Sequence, residues 1–219
     1  IFSRKEVVIG NNLDDNIKLE LPIISAPMDT VTESEMAYAM AKAGGLGIIH
    51  RYNTINEMGT MVRELHYSFL EEGSPNPSIA VAVGVTGKFL TRCTIAWENG
   101  ANIVCVDVAH GHHALVKDAI QKIKNEFGDK LHIMAGNVAT LKAFNDLSDW
   151  GAHSIRCNIG GGSICSTRIQ TGHGIPGLQT IFDCAHSDRK AKIIADGGIR
   201  SSGDIVKAIA AGADFVMLG

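Results

Sequence analysis

Short apolar runs, separated by stretches of helical periodicity, organise this chain. Pro22 to Ala26, Leu46 to Ile49 and Ile79 to Val83 are near-continuous apolar or β-branched stretches. The segment Gly100-Ala101-Asn102-Ile103-Val104-Cys105-Val106-Asp107 is echoed by Gly151-Ala152-His153-Ser154-Ile155-Arg156-Cys157-Asn158, and again by Gly212-Ala213-Asp214-Phe215-Val216-Met217-Leu218-Gly219. Each copy reads as a glycine closing a helix, followed by a buried strand. The copies start 51 and 61 residues apart, too far for one unit each, so a further strand is expected between them, at His132 to Ala135 and at Lys192 to Ala195. Helix-period patterns fill Glu33 to Lys42, Ala114 to Phe127 and Ser202 to Ala211. Met36 and Met40 at helical spacing, and the late-helix Trp97 and Trp150, are expected in the core.

Eight apolar strands alternating with helices predict an α/β fold with a parallel sheet covered by helices. At this length the pattern points to a (β/α)8 TIM barrel occupying residues 1–219 as one catalytic domain, with an open doubly wound sheet as the alternative. Only Glu71 to Pro77 reads as a loose surface loop.

Composition narrows the partners. The chain has 219 residues, 45% hydrophobic and 20% charged, which suits one large core. A net charge of −3 with mixed signs gives no basic stripe, so nucleic acid and anionic membrane are not expected partners. No apolar run approaches the roughly eighteen residues that a membrane span requires. The chain opens Ile1-Phe2-Ser3-Arg4-Lys5, with neither an initiator methionine nor a signal peptide, so its beginning is expected to be missing. Five cysteines without a Cys-x-x-Cys pair point to a reducing, cytoplasmic setting.

In a TIM barrel, function collects where the strands end at their C-termini. There the sequence places Ser25 to Thr30, His50 to Asn53, Asp107 to His112, Gly136-Asn137, and Asp196 to Asp204. After the sixth strand comes Gly160-Gly161-Gly162-Ser163-Ile164-Cys165-Ser166-Thr167. Three glycines let the backbone approach a ligand closely and hold Cys165 at a loop tip, where a thiolate can act as nucleophile. Cys105 and Cys157 instead sit inside strands as structural thiols. Gly197-Gly198 opens toward a helix start and offers an anion its N–H groups. The plainer alternative is a simple turn, with Ser202 or Asp204 as the helix cap. His110, His112 and His113 lack a third metal ligand at fitting spacing and are expected to be supporting or solvent-facing. Arg156, inside an apolar strand, needs a partner and is expected to point into the barrel mouth.

Together these motifs resemble the IMP dehydrogenase and GMP reductase family. The matching stretches are Leu21 to Glu33, Gly44 to His50, Asp107 to His112, Ala135 to Thr140, Ile159 to Pro176 and Ala195 to Gly219. The resemblance implies a tetrameric (β/α)8 barrel enzyme whose loop cysteine attacks C2 of a purine nucleotide (GMP, IMP or XMP). Hydride then passes to or from NADP or NAD. Carried over by position, Cys165 would be the nucleophile and Thr167 the partner of the water or ammonia added or expelled. Met28, Ser163, Ile164, Asp196, Gly197, Gly198 and Gly219 would hold the nucleotide. Asp107, Val108, Ala109, Asn137 and Arg156 would lie on the cofactor side. The carbonyls of Gly160, Gly162 and Cys165 match positions that hold a potassium ion.

The 27 residues from Tyr52 to Ser78 are too few for the regulatory CBS pair found in many dehydrogenases, and Val108 is apolar as in reductases. Pro27 to Glu33, Gly44 to Gly47 and Ile199 to Ala211 look more like a dehydrogenase. The balance leans to GMP reductase, with IMP dehydrogenase as the alternative. The flap, and the Arg-Tyr pair or glutamate that separate the two reactions, would follow Gly219, so the barrel is expected to lack the segment after its eighth strand. Two departures from the family pattern are Asn158 in place of a glycine and Gly177 in place of a glutamine after Pro176. Among other classes, an aldolase-type barrel would want a lysine at a strand's C-terminal end, whereas Lys192 begins its strand. A non-catalytic nucleotide-binding barrel would tolerate loss of Cys165.

Overall fold

The computed structural model describes residues 3–74 and 77–219; Ile1, Phe2, and Pro75 and Asn76 of the expected loose loop lie outside the described residues. A two-residue antiparallel ladder of β1 (Asn11–Asn12) and β2 (Lys18–Leu19) comes first. Then follow β3 (Ile23–Ser25), α1 (Ser34–Lys42), β4 (Leu46–Ile49), α2 (Ile55–Glu71), β5 (Ala80–Val83) and α3 (Phe89–Glu98). The middle of the chain forms β6 (Ile103–Asp107), α4 (Ala114–Phe127), β7 (His132–Val138), α5 (Leu141–Trp150) and β8 (Ser154–Cys157). Last come α6 (Thr167–Thr171), α7 (Gly177–Cys184), β9 (Lys192–Asp196), α8 (Ser202–Ala210) and β10 (Phe215–Leu218).

Strands β3 to β10 close a parallel barrel, with β10 pairing back onto β3 through Val216–Ile23, Met217–Ile24 and Leu218–Ser25. Closure rules out the open doubly wound alternative. The strands read as unbroken apolar runs because both of their faces are buried. Ile48, Ala80, Ile103, Cys105, Met134, Ile194, Phe215 and Met217 point into the barrel. Ile49, Val81, Val104, Ile133, Ile155, Ile193 and Val216 alternate with them and pack under the helices.

The floor of the barrel is sealed by the N-terminal ladder, whose Leu13, Ile17 and Leu19 join the interior core. Below it, Asp14 meets His132 Nδ1 at 2.6 Å, and His132 Nε2 meets Ser154 Oγ at 2.8 Å. Burial pushes the Asp14 carboxyl up, but the bonds from His132 and from the Asn16 and Ile17 N–H groups outweigh it and hold it below the usual value.

Several helix positions differ from the sequence pattern. Met36 is exposed, and Ala37 takes the buried face of α1. The cause is close packing on β4: a Cβ on Gly47 would come within 2.5 Å of Ala37 Cα, so no large side chain fits between them. Met40 is only half-buried. Trp97 lies at the surface, with Lys130 Nζ 4.9 Å above its ring and Phe127 beside it, and Trp150 is half-buried and stacked on His112. Trp150 still packs against the core beneath the helices. The expected loose loop begins later than its composition suggests: Glu71 ends α2, and Glu72 bonds Lys42 Nζ at 2.6 Å and the Tyr38 hydroxyl.

Candidate active site

The C-terminal ends of the barrel strands carry three adjoining clefts; one, about 260 Å³, lies between Asn158, Arg168, Gly177 and Gly198, and the other two hold the expected site residues. The larger, about 770 Å³, is lined by Met28 from the loop after β3, by Ser163 and Ile164 of the cysteine loop, by Asp196, Gly197 and Gly198 after β9, and by Gly219. All seven residues assigned to the nucleotide therefore face one space. The smaller, about 330 Å³, is lined by Cys165 and Thr167 together with Asp107, Val108, Ala109, Asn137 and Arg156. All five residues assigned to the cofactor thus share a cleft with the thiol. Gly162, Asp196 and Gly197 line both and form the wall between them.

Cys165 is half-buried on the loop between β8 and α6, whereas Cys93, Cys105, Cys157 and Cys184 are buried. Its thiol donates to Thr167 Oγ1 at 3.3 Å, and its N–H donates to Gly162 O at 3.1 Å, which closes a tight turn under the sulfur. Burial pushes the Cys105 thiol up to about 12, and burial beside Cys184 raises that of Cys157. Those two are inert packing groups, as their strand positions led one to expect.

Gly197 and Gly198 take φ of 86° and 78°, a conformation other residues rarely adopt. Their turn presses against the cysteine loop: a Cβ on Gly197 would meet Gly162 N at 2.9 Å, and one on Gly198 would meet Gly161 O at 3.1 Å. The cap of α8 is Ser201, neither Ser202 nor Asp204 acting alone. Its hydroxyl accepts the Asp204 N–H, and the Asp204 carboxylate accepts the Ser201 N–H in return.

A buried ion network lies beneath both clefts. Arg156 points into the barrel mouth as its need for a partner required, donating to Asp107 Oδ1 at 2.5 Å and to Asp196 Oδ2 at 2.8 and 3.1 Å. Burial opposes its charge, but Asp196, Cys105 and Asp107 outweigh that and hold its pKa above the usual guanidinium value. Asp196 Oδ2 also accepts from Asn137 Nδ2 at 2.8 Å, so all three bonds fall on one oxygen. Asp107 Oδ2 accepts from Arg51 Nε at 3.3 Å. Arg51 is thus a site residue that the sequence did not single out; its only signal was its place in the polar stretch after the second apolar run. Arg168 is another. It donates to Ile159 O at 3.2 Å and Ile175 O at 2.7 Å, clasping both ends of the cysteine loop.

The histidines after β6 have separate tasks. His112 pairs with Asp146 at 2.7 Å, and His113 caps α4 by accepting the Leu115 N–H. Among the described residues, no group of three His, Cys, Asp or Glu side chains is arranged to hold a metal ion. Also among them, no helix is long and apolar enough to cross a membrane.

Comparison with known proteins decides the family. The family model described as IMP dehydrogenase / GMP reductase domain matches residues 1–219. The chain belongs to the IMP dehydrogenase / GMP reductase family. It is similar to an inosine-5'-monophosphate dehydrogenase of Borreliella burgdorferi, 38% identical over 98% of this chain and 64% of that protein. It is likewise similar to proteins of the same name from Nitrosopumilus maritimus (30% identical, 100% of this chain, 71% of that protein) and Cryptosporidium parvum (34%, 98% and 62%). The chain therefore spans about two thirds of the length of these relatives, and less than that for two of them.

Proposed function

We propose that this chain forms the nucleotide-binding and nucleophile-bearing part of an oxidoreductase acting at C2 of a purine nucleotide. The observation that carries the reading is the half-buried Cys165 thiol beside Thr167 in the smaller cleft, next to the Gly162 wall that separates it from the larger one. The larger cleft suits a nucleotide: the Gly197-Gly198 turn and Ser163 offer donors to a phosphate, and Met28 offers an apolar face to the base. Asp196 holds its neighbours with Oδ2, which leaves Oδ1 to accept from ribose hydroxyls.

In the dehydrogenase direction, the Cys165 sulfur adds to C2 of IMP, forming an S–C bond, and C2 gives up a hydride. Water then attacks C2, the S–C bond breaks, and XMP leaves with the thiol restored. The covalent step divides one difficult displacement into two easier ones. Thr167, whose hydroxyl lies 3.3 Å from the Cys165 sulfur, would hold the attacking water. A nicotinamide, when bound, supplies the hydride acceptor. The residues of the smaller cleft fit its charge and shape: the partly exposed Arg51 for a phosphate, and the apolar Val108 and Ala109 for a ring face, with Arg156 holding Asp107 and Asp196 beneath them. A potassium ion on the Gly160, Gly162 and Cys165 carbonyls belongs to the same reading; Gly162 O already accepts one N–H and keeps one lone pair.

The dehydrogenase name of the relatives supports IMP, NAD and water as reactants. The reductase reading, GMP and NADPH giving IMP and ammonia, is supported by the apolar Val108 and the short Tyr52 to Ser78 connection. The matches to Borreliella burgdorferi and Nitrosopumilus maritimus run over 259 and 338 aligned residues under one name, so connection length alone does not divide the two reactions. A homotetramer in a reducing cytoplasm completes the proposal. The test is to supply IMP with NAD, or GMP with NADPH, and follow the absorbance of the reduced nicotinamide. Cys165→Ala should abolish turnover while nucleotide binding persists; turnover that survives this substitution refutes the covalent route.

A further inference from the structure

We propose that Asn158 is a positioning residue, a latch that fixes the cysteine loop against the Gly197-Gly198 turn. The inference rests on the reading that Cys165 and this turn hold opposite ends of one nucleotide. Asn158 directly follows β8, is 4% exposed, and takes φ of 105°, the left-handed region where asparagine is tolerated better than most side chains. Its Nδ2 donates to Asp196 O at 3.0 Å and lies 3.4 Å from Gly197 O, on the strand end that carries the turn. Its Oδ1 accepts from Arg168 Nη2 at 3.2 Å, and Arg168 clasps Ile159 O and Ile175 O at the two ends of the cysteine loop. One amide thereby joins the loop that bears the nucleophile to the turn that would bear the phosphate.

The surroundings are cut to fit this amide. Neither Gly161 nor Gly177 takes a positive φ, so the backbone would accept a side chain at either. At both, the three atoms nearest to an added Cβ all belong to the Asn158 side chain; at Gly161 the Cβ would land on Nδ2, and at Gly177 it would lie 2.8 Å from it. Asn158 and Gly177 are therefore neighbours in space, and Gly161 completes the slot. An aspartate at 158 could still accept from Arg168 but could not donate to the two carbonyls. A glycine would relieve the backbone and remove the latch.

The physical consequence is alignment. A nucleotide held at its phosphate by one loop and attacked at its base by another reacts only when the two loops keep their spacing, and a displacement of about 1 Å can lower a rate by about 100-fold. Asn158→Gly is expected to lower kcat at least tenfold, normalised to titratable Cys165, with the nucleotide KM within threefold of wild type. Gly161→Ala should be about as damaging as Asn158→Gly, and the double variant no worse than either, because the clash needs the amide. Asn158→Asp, which keeps size and the Arg168 contact, provides the measurement if Asn158→Gly does not fold. A kcat within twofold of wild type in the folded Asn158 variant, or Gly161→Ala damage that persists after Asn158 is removed, overturns the latch. If wild type shows no nucleotide binding, the proposed function falls. Wherever turnover is absent, Asn158→Gly should change the iodoacetamide rate at Cys165 at least threefold and Gly161→Ala should cost stability only while Asn158 is present; an unchanged rate, or a cost that remains in the Asn158→Gly background, overturns the latch.

Discussion

Replacing Arg156 with methionine tests whether the ion network beneath the clefts holds the barrel mouth together. Arg156 has a side-chain exposure of 9%, against 16% and 13% for Asp107 and Asp196. Each pair at contact distance gains about 4 kcal/mol of Coulomb energy at an effective dielectric near 20. The desolvation of three charged groups offsets most of that, so the intact network adds little net stability. Its truncation is another matter, because two carboxylates are left facing each other without their cation. Breaking a buried pair in this way typically costs about 3–5 kcal/mol. The lower end applies here, since Asp107 keeps Arg51 and Asp196 keeps Asn137. A loss of about 3 kcal/mol corresponds to a Tm fall of about 6–12 °C for a domain of this size. Thermal and urea unfolding followed by circular dichroism should show that drop. Adding Asp107→Asn and Asp196→Asn to Arg156→Met should return more than half of it, because the repulsion goes with the charges. A fall below about 2 °C for Arg156→Met, or no recovery in the triple variant, would refute the reasoning.

Two further outcomes follow from packing and protonation elsewhere. His153 Nδ1 accepts the Ile133 N–H at 2.9 Å, and burial, aided by the nearby His132, pushes its pKa down to about 4. Between about pH 6.5 and pH 4 the unfolded chain holds the extra proton, so this residue's share of stability is full above pH 6.5 and is lost as the pH falls through that window. After allowance for partial exposure the share is on the order of 1 kcal/mol. Urea unfolding at pH 7.5 and 4.5 should show a smaller acid loss for His153→Asn than for wild type, and equal losses would contradict the assignment. Gly47→Ala drives a Cβ into the Ala37 backbone and should cost about 2–3 kcal/mol, seen as a Tm fall of about 4–12 °C; an unchanged Tm would mean that α1 is not packed as described.

Much of the barrel was legible because its strands are buried on both faces, which leaves near-continuous apolar runs set between helical patterns. Leu46–Ile49 and helix α4 have the bounds the pattern suggests, and β8 and β10 fall inside the second and third glycine-led repeats. Strand β7 runs to Val138, past its apolar part, because Gly136 still pairs with Asp107 across the ladder. The N-terminal ladder was not legible: two residues a side carry no periodicity, and its value lies in Leu13, Ile17 and Leu19 meeting strands far along the chain. The candidate site was legible in position, since the barrel rule sends the eye to the residues after each strand. Its internal wiring was not. The bonds from Arg51 to Asp107 and from Asn158 to Arg168 depend on side-chain directions that no spacing encodes.

The closing of β10 onto β3 sets a timetable for synthesis. Strand β3 pairs with β4 on one side and with β10 on the other. The second partner lies near the far end of the chain, and Asn11 reaches Asp214, 203 positions away. At about 5–20 residues per second, a ribosome leaves the outer edge of Ile23–Ser25 unpaired for about 10–40 s. An apolar strand with an open edge is a template for the wrong neighbour. Until Phe215 emerges, the nascent chain therefore benefits from chaperone cover over this edge.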